Sequence, residues 1–170
     1  MELLIPGLIL VALMVWASTK IKKRAADAFE AEFIETDTYS LQKPEAFLHV
    51  IGDPAHEFRA YSKEFGALDA NSGVRQATIE IDAFRDNDLA GVRDLTERSA
   101  AVTKIREEGP DACELETEET ANEIDVDAVY KLVVGANVVY RLRFAVLREH
   151  TEDYLRKIEE TLDSFTVRVI

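Results

Sequence analysis

A row of acids, three histidines and one cysteine are the side chains of this 170-residue sequence whose types and spacing invite chemistry. The acids run Glu114, Glu116, Glu118 and then Glu123, Asp125, Asp127. A spacing of two puts side chains on one face of a strand, so two neighbouring strands can present these carboxylates together. Such a face attracts Ca²⁺ or a basic partner. Lys131, Arg141 and Arg143 on the opposing strands offer cross-strand ion pairs instead. A Ca²⁺ loop with its central glycine and terminal glutamate does not occur. Ion pairs on a solvated face are therefore the simpler reading, with the six acids a candidate interaction face and a weak Ca²⁺ site as the alternative.

The histidines carry less. His49, His56 and His150 are scattered, and none has a metal spacing such as His-x-x-x-His. His49 and His56 flank a turn and can approach each other, yet two surface loop histidines are the simpler reading. His150, with Glu152 and Asp153, sits at a helix start, where capping explains it. Cys113 lies beside Asp111 with no histidine near in sequence. The serines lack a nucleophile elbow, and no glycine run forms a phosphate loop. The chain reads as a non-enzymatic module without cofactor or metal.

The elements that must position the acids are a meander and two helices. Cys113, Leu115 and Thr117 alternate against the glutamates, 123–134 alternates again, and 138–147 returns after Gly135-Ala136-Asn137, where a tight hairpin needs positive φ. Three successive antiparallel strands follow from this pattern. Upstream, Ala77, Ile79 and Ile81 mark a half-buried strand, 58–65 a weaker one, and 39–51 a short strand or hairpin edge ending at Gly52-Asp53-Pro54. A helix is predicted from an Asn87 cap to about Glu107, with Leu89, Val92, Leu95, Val102 and Ile105 as its apolar stripe and Gly109-Pro110 as its stop. A second helix begins at Thr151, whose hydroxyl is the expected cap. Tyr154, Leu155, Ile158, Leu162 and Phe165 form its expected buried stripe.

Residues 1–24 read as a membrane anchor. Leu3, Ile5, Leu8, Leu10, Leu13 and Trp16 belong to a run with no charge from 3 to 18, followed by Lys20, Lys22, Lys23 and Arg24. At ~1.5 Å per residue, the run reaches the lower end of the hydrocarbon thickness if the Lys20 stem snorkels. A cleaved signal peptide has its charges first and a small-residue site after. Here Glu2 precedes the run and the bases follow, so an uncleaved anchor is preferred over a signal peptide or a buried helix. Basic flanks stay in the cytoplasm, which puts the N-terminus outside and the domain inside at the inner membrane. Residues 25–35 are rich in helix formers, with Phe29 and Phe33 one turn apart, and predict a helical stalk.

Net charge narrows the partners. The whole chain holds 20 basic and 33 acidic residues, for −13. Setting aside Glu2 and the four bases at 20–24 leaves 16 basic and 32 acidic residues, for −16. Such a surface repels phosphate backbones and anionic lipid, which excludes nucleic acid as a partner. A lone cysteine forms no intrachain disulfide and fits a reducing compartment. Residues 36–170 are long enough for one core without covalent help.

The order of elements, the Tyr39-Ser40-Leu41-Gln42-Lys43-Pro44 stretch followed by an aromatic, and a terminal helix running into Asp163-Ser164-Phe165 resemble the PsbP-like superfamily over about residues 36–169. That superfamily includes the Ran-binding Mog proteins and the DcrB-like bacterial proteins. The resemblance implies an α+β fold, with an antiparallel sheet between helices as an α/β/α sandwich, and a binding or assembly role. It transfers no site residue and no role at photosystem II. Expected overall is a single-pass membrane protein presenting its acidic domain to a protein partner. A pilin-like subunit, polymerising through a long N-terminal helix, is the alternative, although it lacks the basic leader ending in glycine.

Overall fold

The computed structural model describes residues 14–16, 18, 20, 27–66, 73–121 and 123–168. In chain order these form β1 (Glu32–Glu35), β2 (Tyr39–Lys43), β3 (Phe47–His49), β4 (Phe58–Ser62), β5 (Ala77–Arg85), α1 (Leu89–Ser99), β6 (Ala101–Glu107), β7 (Ala112–Ala121), β8 (Ile124–Gly135) and β9 (Val138–Leu147). A 3-10 turn at Arg148–His150 leads into α2 (Thr151–Ser164) and β10 (Thr166–Val167). Seven strands make the main sheet in the order β3-β4-β5-β9-β8-β7-β6, and β1-β2-β10 make a small one. Every pairing is antiparallel.

Period-two alternation sorts the main sheet into two cores. From β9, Tyr140, Leu142, Phe144 and Val146 join Ile79, Ile81, Phe47, Tyr39 and the α2 residues Tyr154, Ile158 and Leu162. Val139 and Ala145 face the other way, joining Cys113, Leu115, Leu132 and Val92 of α1. A helix on each face covers these apolar sets, which gives the α+β sandwich its layers. β10 crosses close to the β8–β9 hairpin: a Cβ on Gly135 would lie 2.9 Å from Val167 Cγ1, so a larger residue there would push the Val167 side chain aside. In the same hairpin, positive φ falls on Asn137, at 59°.

Several expectations change. Residues 25–35 are not one helix, because 32–35 pair with β2 and bury part of Ile34 against the core. Helix propensity amounts to tenths of a kcal/mol per residue and yields to a ladder with burial. The same strand ends any continuous rod into the head, which removes the feature that favoured a pilin-like subunit. The first helix stops at Ser99 rather than near 107; Ala100 turns extended, and 101–107 pair with β7. Its cap is Asp88, whose carboxylate accepts from the Gly91 amide at 2.8 Å, rather than Asn87. Thr151 does not cap α2 either; its hydroxyl donates to Asp127 at 2.8 Å. Leu155 lies off the buried stripe, 57% exposed.

Of the expected anchor, Trp16 and Lys20 are helical and exposed, and Lys20 Nζ sits 4.7 Å from the Trp16 ring centroid. Leu3, Ile5, Leu8, Leu10, Leu13, Lys22, Lys23 and Arg24 lie outside the described residues. Among the described residues no helix is long and apolar enough to cross a membrane.

Candidate functional site: an acidic groove beside the C-terminal helix

Register places the acids. Glu114 lies opposite Lys131, Glu118 opposite Asp127 and Thr120 opposite Asp125, so Glu114, Glu116, Glu118, Asp125 and Asp127 share the sheet face on which α2 packs. Glu123 is apart from them, exposed in the β7–β8 turn with φ 66°. Arg148 gathers three acids: it lies 3.0 Å from Glu118, 2.9 Å from Asp127 and 4.0 Å from Asp125. Lys104 pairs with Glu116 at 2.7 Å, and Glu114 sits between Arg106 at 3.4 Å and Lys131 at 3.8 Å. Burial and then the Glu108 charge push the Glu114 carboxyl above its ordinary value. Among the described residues no group of three or more His, Cys, Asp or Glu is arranged to hold a metal ion.

Only part of the cation set that the alternation offered is here. Lys131 is on this face, but Arg141 and Arg143 point to the other, because they stand one residue out of phase with Leu142 and Phe144. There they build a half-buried network that sequence reading missed. Arg141 pairs with Asp82 at 2.8 Å, and Arg143 pairs with Glu80 at 3.1 Å and Glu119 at 2.6 Å. Glu119 also accepts from the Tyr130 hydroxyl at 2.6 Å. Its carboxyl lies below the ordinary range: burial raises it, but the bonds from Arg143 and Tyr130 outweigh that. Glu80 and Asp82, alternating on β5 opposite Arg143 and Arg141, were the available signal.

The histidines go separate ways. His49 packs on Phe58 with centroids 4.7 Å apart, and burial lowers its pKa. His56 Nδ1 sits 2.7 Å from Asp82, and His150 lies between Glu149 and Asp153. Cys113 is fully buried; burial and then the Glu107 charge push its thiol up to about 11, so it stays protonated near neutral pH.

Among the described residues hollows flank the sheet, including one of about 550 Å³ near His56, Asp82 and Arg141. One of about 630 Å³ lies near Arg59, Tyr61, Arg75 and Arg143. Two of its three arginines are committed to carboxylates, Arg59 to Asp53 and Glu80, Arg143 to Glu80 and Glu119. Another, about 490 Å³, is a groove between α2 and β6–β8. Its floor and helical wall include Val129, Leu155, Ile158 and Leu162, and its rim includes Glu114, Glu116, Glu118, Asp127, Glu159 and Asp163, with Arg106 the one lining cation. An apolar strip inside an acidic rim has the make-up of surfaces on which proteins dock.

No family model matches the chain, and no curated protein matches it in sequence. Solved structures do match its shape. LpqN of Mycobacterium tuberculosis, involved in cell envelope biogenesis, is 14% identical with a TM-score of 0.58, over 81% of this chain and 90% of that one. Cyanobacterial PsbP from Synechocystis sp. PCC 6803 is 10% identical with a TM-score of 0.56, over 82% and 94%. The Saccharomyces cerevisiae Ran-binding protein Mog1p is 14% identical with a TM-score of 0.54, over 82% and 96%. The two-faced antiparallel sheet with its terminal helix is thus the PsbP-like, Mog1-like fold.

Proposed function

We propose that the chain is a non-enzymatic binding module that docks a protein partner through the groove between α2 and the sheet. In this reading it is held at the inner membrane by one span over residues 1–24, with the N-terminus outside and the domain on the cytoplasmic side. The groove carries the proposal, because its helical wall leaves Leu155 57% exposed inside an acidic rim. A fold neighbour described as Ran-binding supports a protein as the partner class. The order of charges around residues 1–24 supports the tether. Confinement at a membrane raises the effective concentration of a membrane partner, so a modest groove suffices.

Site-specific photo-crosslinking in cells tests the binding role. A photoreactive residue at position 155 is expected to give a discrete adduct, and one at Ile51, 89% exposed and away from the groove, is expected to give none. Absence of an adduct at 155, or the same adduct at both positions, refutes it. The side is tested by a cysteine introduced at Glu159, since buried Cys113 contributes little background. Labelling only after cells are broken is expected; labelling in intact cells overturns the orientation.

A further inference from the structure

The acidic rim is unevenly compensated. Glu114, Glu116, Glu118 and Asp127 have Arg106, Lys131, Lys104 and Arg148 as partners. The carboxylates of Glu159 and Asp163, exposed on the helical wall, make no ion pair or hydrogen bond among the described residues. Leu155, Glu159 and Asp163 stand at i, i+4 and i+8, so one ridge of α2 carries an apolar side chain followed by two free carboxylates about a turn apart. Ile158, Leu162 and Val129 lie below it in the groove.

From this ridge we infer that the groove takes a basic amphipathic helix of the partner. Such a helix sets an apolar side chain against Leu155 and Val129 and aims two cations, one turn apart, at Glu159 and Asp163. A second copy of α2 fits badly, because it would bring the same two carboxylates against themselves. Anionic lipid and nucleic acid meet the same repulsion. The inference rests on the binding-module reading and adds the chemistry of the occupant.

The test is fluorescence anisotropy on the full chain. The probe is a labelled leucine–lysine amphipathic peptide of about 16 residues, between four and five helical turns. Saturable one-site binding is expected, about tenfold weaker for a same-composition scramble that destroys amphipathicity. The double variant E159K/D163K is expected to weaken binding by about tenfold and L155S by about fivefold. Both alter exposed positions, and circular dichroism checks that they fold. Asp37→Lys, a charge reversal in an exposed loop beside the small sheet, is expected to leave binding within about twofold.

Equal binding of the scramble, no effect of the groove variants, or an equal effect of D37K overturns the inference. An adduct at position 155 in cells without peptide binding leaves the module reading and removes the helix. Peptide binding at the groove without any adduct does the opposite.

Discussion

Replacing Arg143 with methionine separates the half-buried network from the groove on the other face. The methionine keeps most of the stem in its packing and removes only the guanidinium. That group donates to Glu80 at 3.1 Å, Glu119 at 2.6 Å and the Tyr130 hydroxyl at 3.1 Å. Side-chain exposures are 21% for Arg143, 14% for Glu80 and 17% for Glu119, so solvent screens these pairs only in part. Stranding a buried charge costs ~3–5 kcal/mol. Here Glu80 keeps Arg59 at 3.4 Å, and Glu119 keeps the hydroxyls of Tyr130 and Thr117. The expected loss is therefore ~2–3 kcal/mol, a sizeable share of a domain's stability.

Urea unfolding followed by far-ultraviolet circular dichroism measures that loss, and its pH dependence identifies the cause. Glu119 has a folded pKa below its ordinary value of 4.5. Its contribution is therefore fully present above that value and disappears as the pH falls through the folded pKa. The gap between parent and R143M should be widest at neutral pH and narrow in acid. A loss under ~1 kcal/mol at neutral pH, or a gap unchanged in acid, refutes the energetic reading of the network.

Three further outcomes are expected. Ile158→Ala, in the main core, should cost ~2–4 kcal/mol, whereas Leu155→Ser should change stability by less than ~0.5 kcal/mol; equal costs in urea would show that Leu155 is a core residue and not a groove residue. Ala46→Gly should stabilise the domain by up to ~1 kcal/mol in the same assay, since Ala46 holds φ 68° where its Cβ is strained; a destabilisation would count against that strain. Cys113 should resist a thiol reagent at pH 8 in the folded chain and react at once in denaturant; rapid native labelling would contradict its burial.

Strand existence was legible because alternation writes itself locally. Ala77, Ile79 and Ile81, and then the meander from 112 to 147, need no distant contact to be read. Helix boundaries were not, since nothing local distinguishes 101–107 from a continued helix: Val102 and Ile105 fit a helical stripe and an edge strand alike. The competing β7 ladder decided it. Residues 32–35 follow the same logic, with helix-forming composition overridden by pairing to β2.

The candidate site divides in the same way. The sequence by itself determined which acids alternate along each strand, because a period of two is a property of the chain; the β7–β8 register joined the two sets and left Glu123 in the turn. The sequence also determined the order of charge around residues 1–24, on which the proposed tether depends. Only the tertiary structure decided what those acids face. Packing put Arg148 with Lys131, rather than Arg141 and Arg143, beside them, and the placement of α2 left Leu155 on the groove next to Glu159 and Asp163 instead of in the core. Both outcomes depend on the angle and register between elements distant in sequence, quantities set by packing and carried by no single segment.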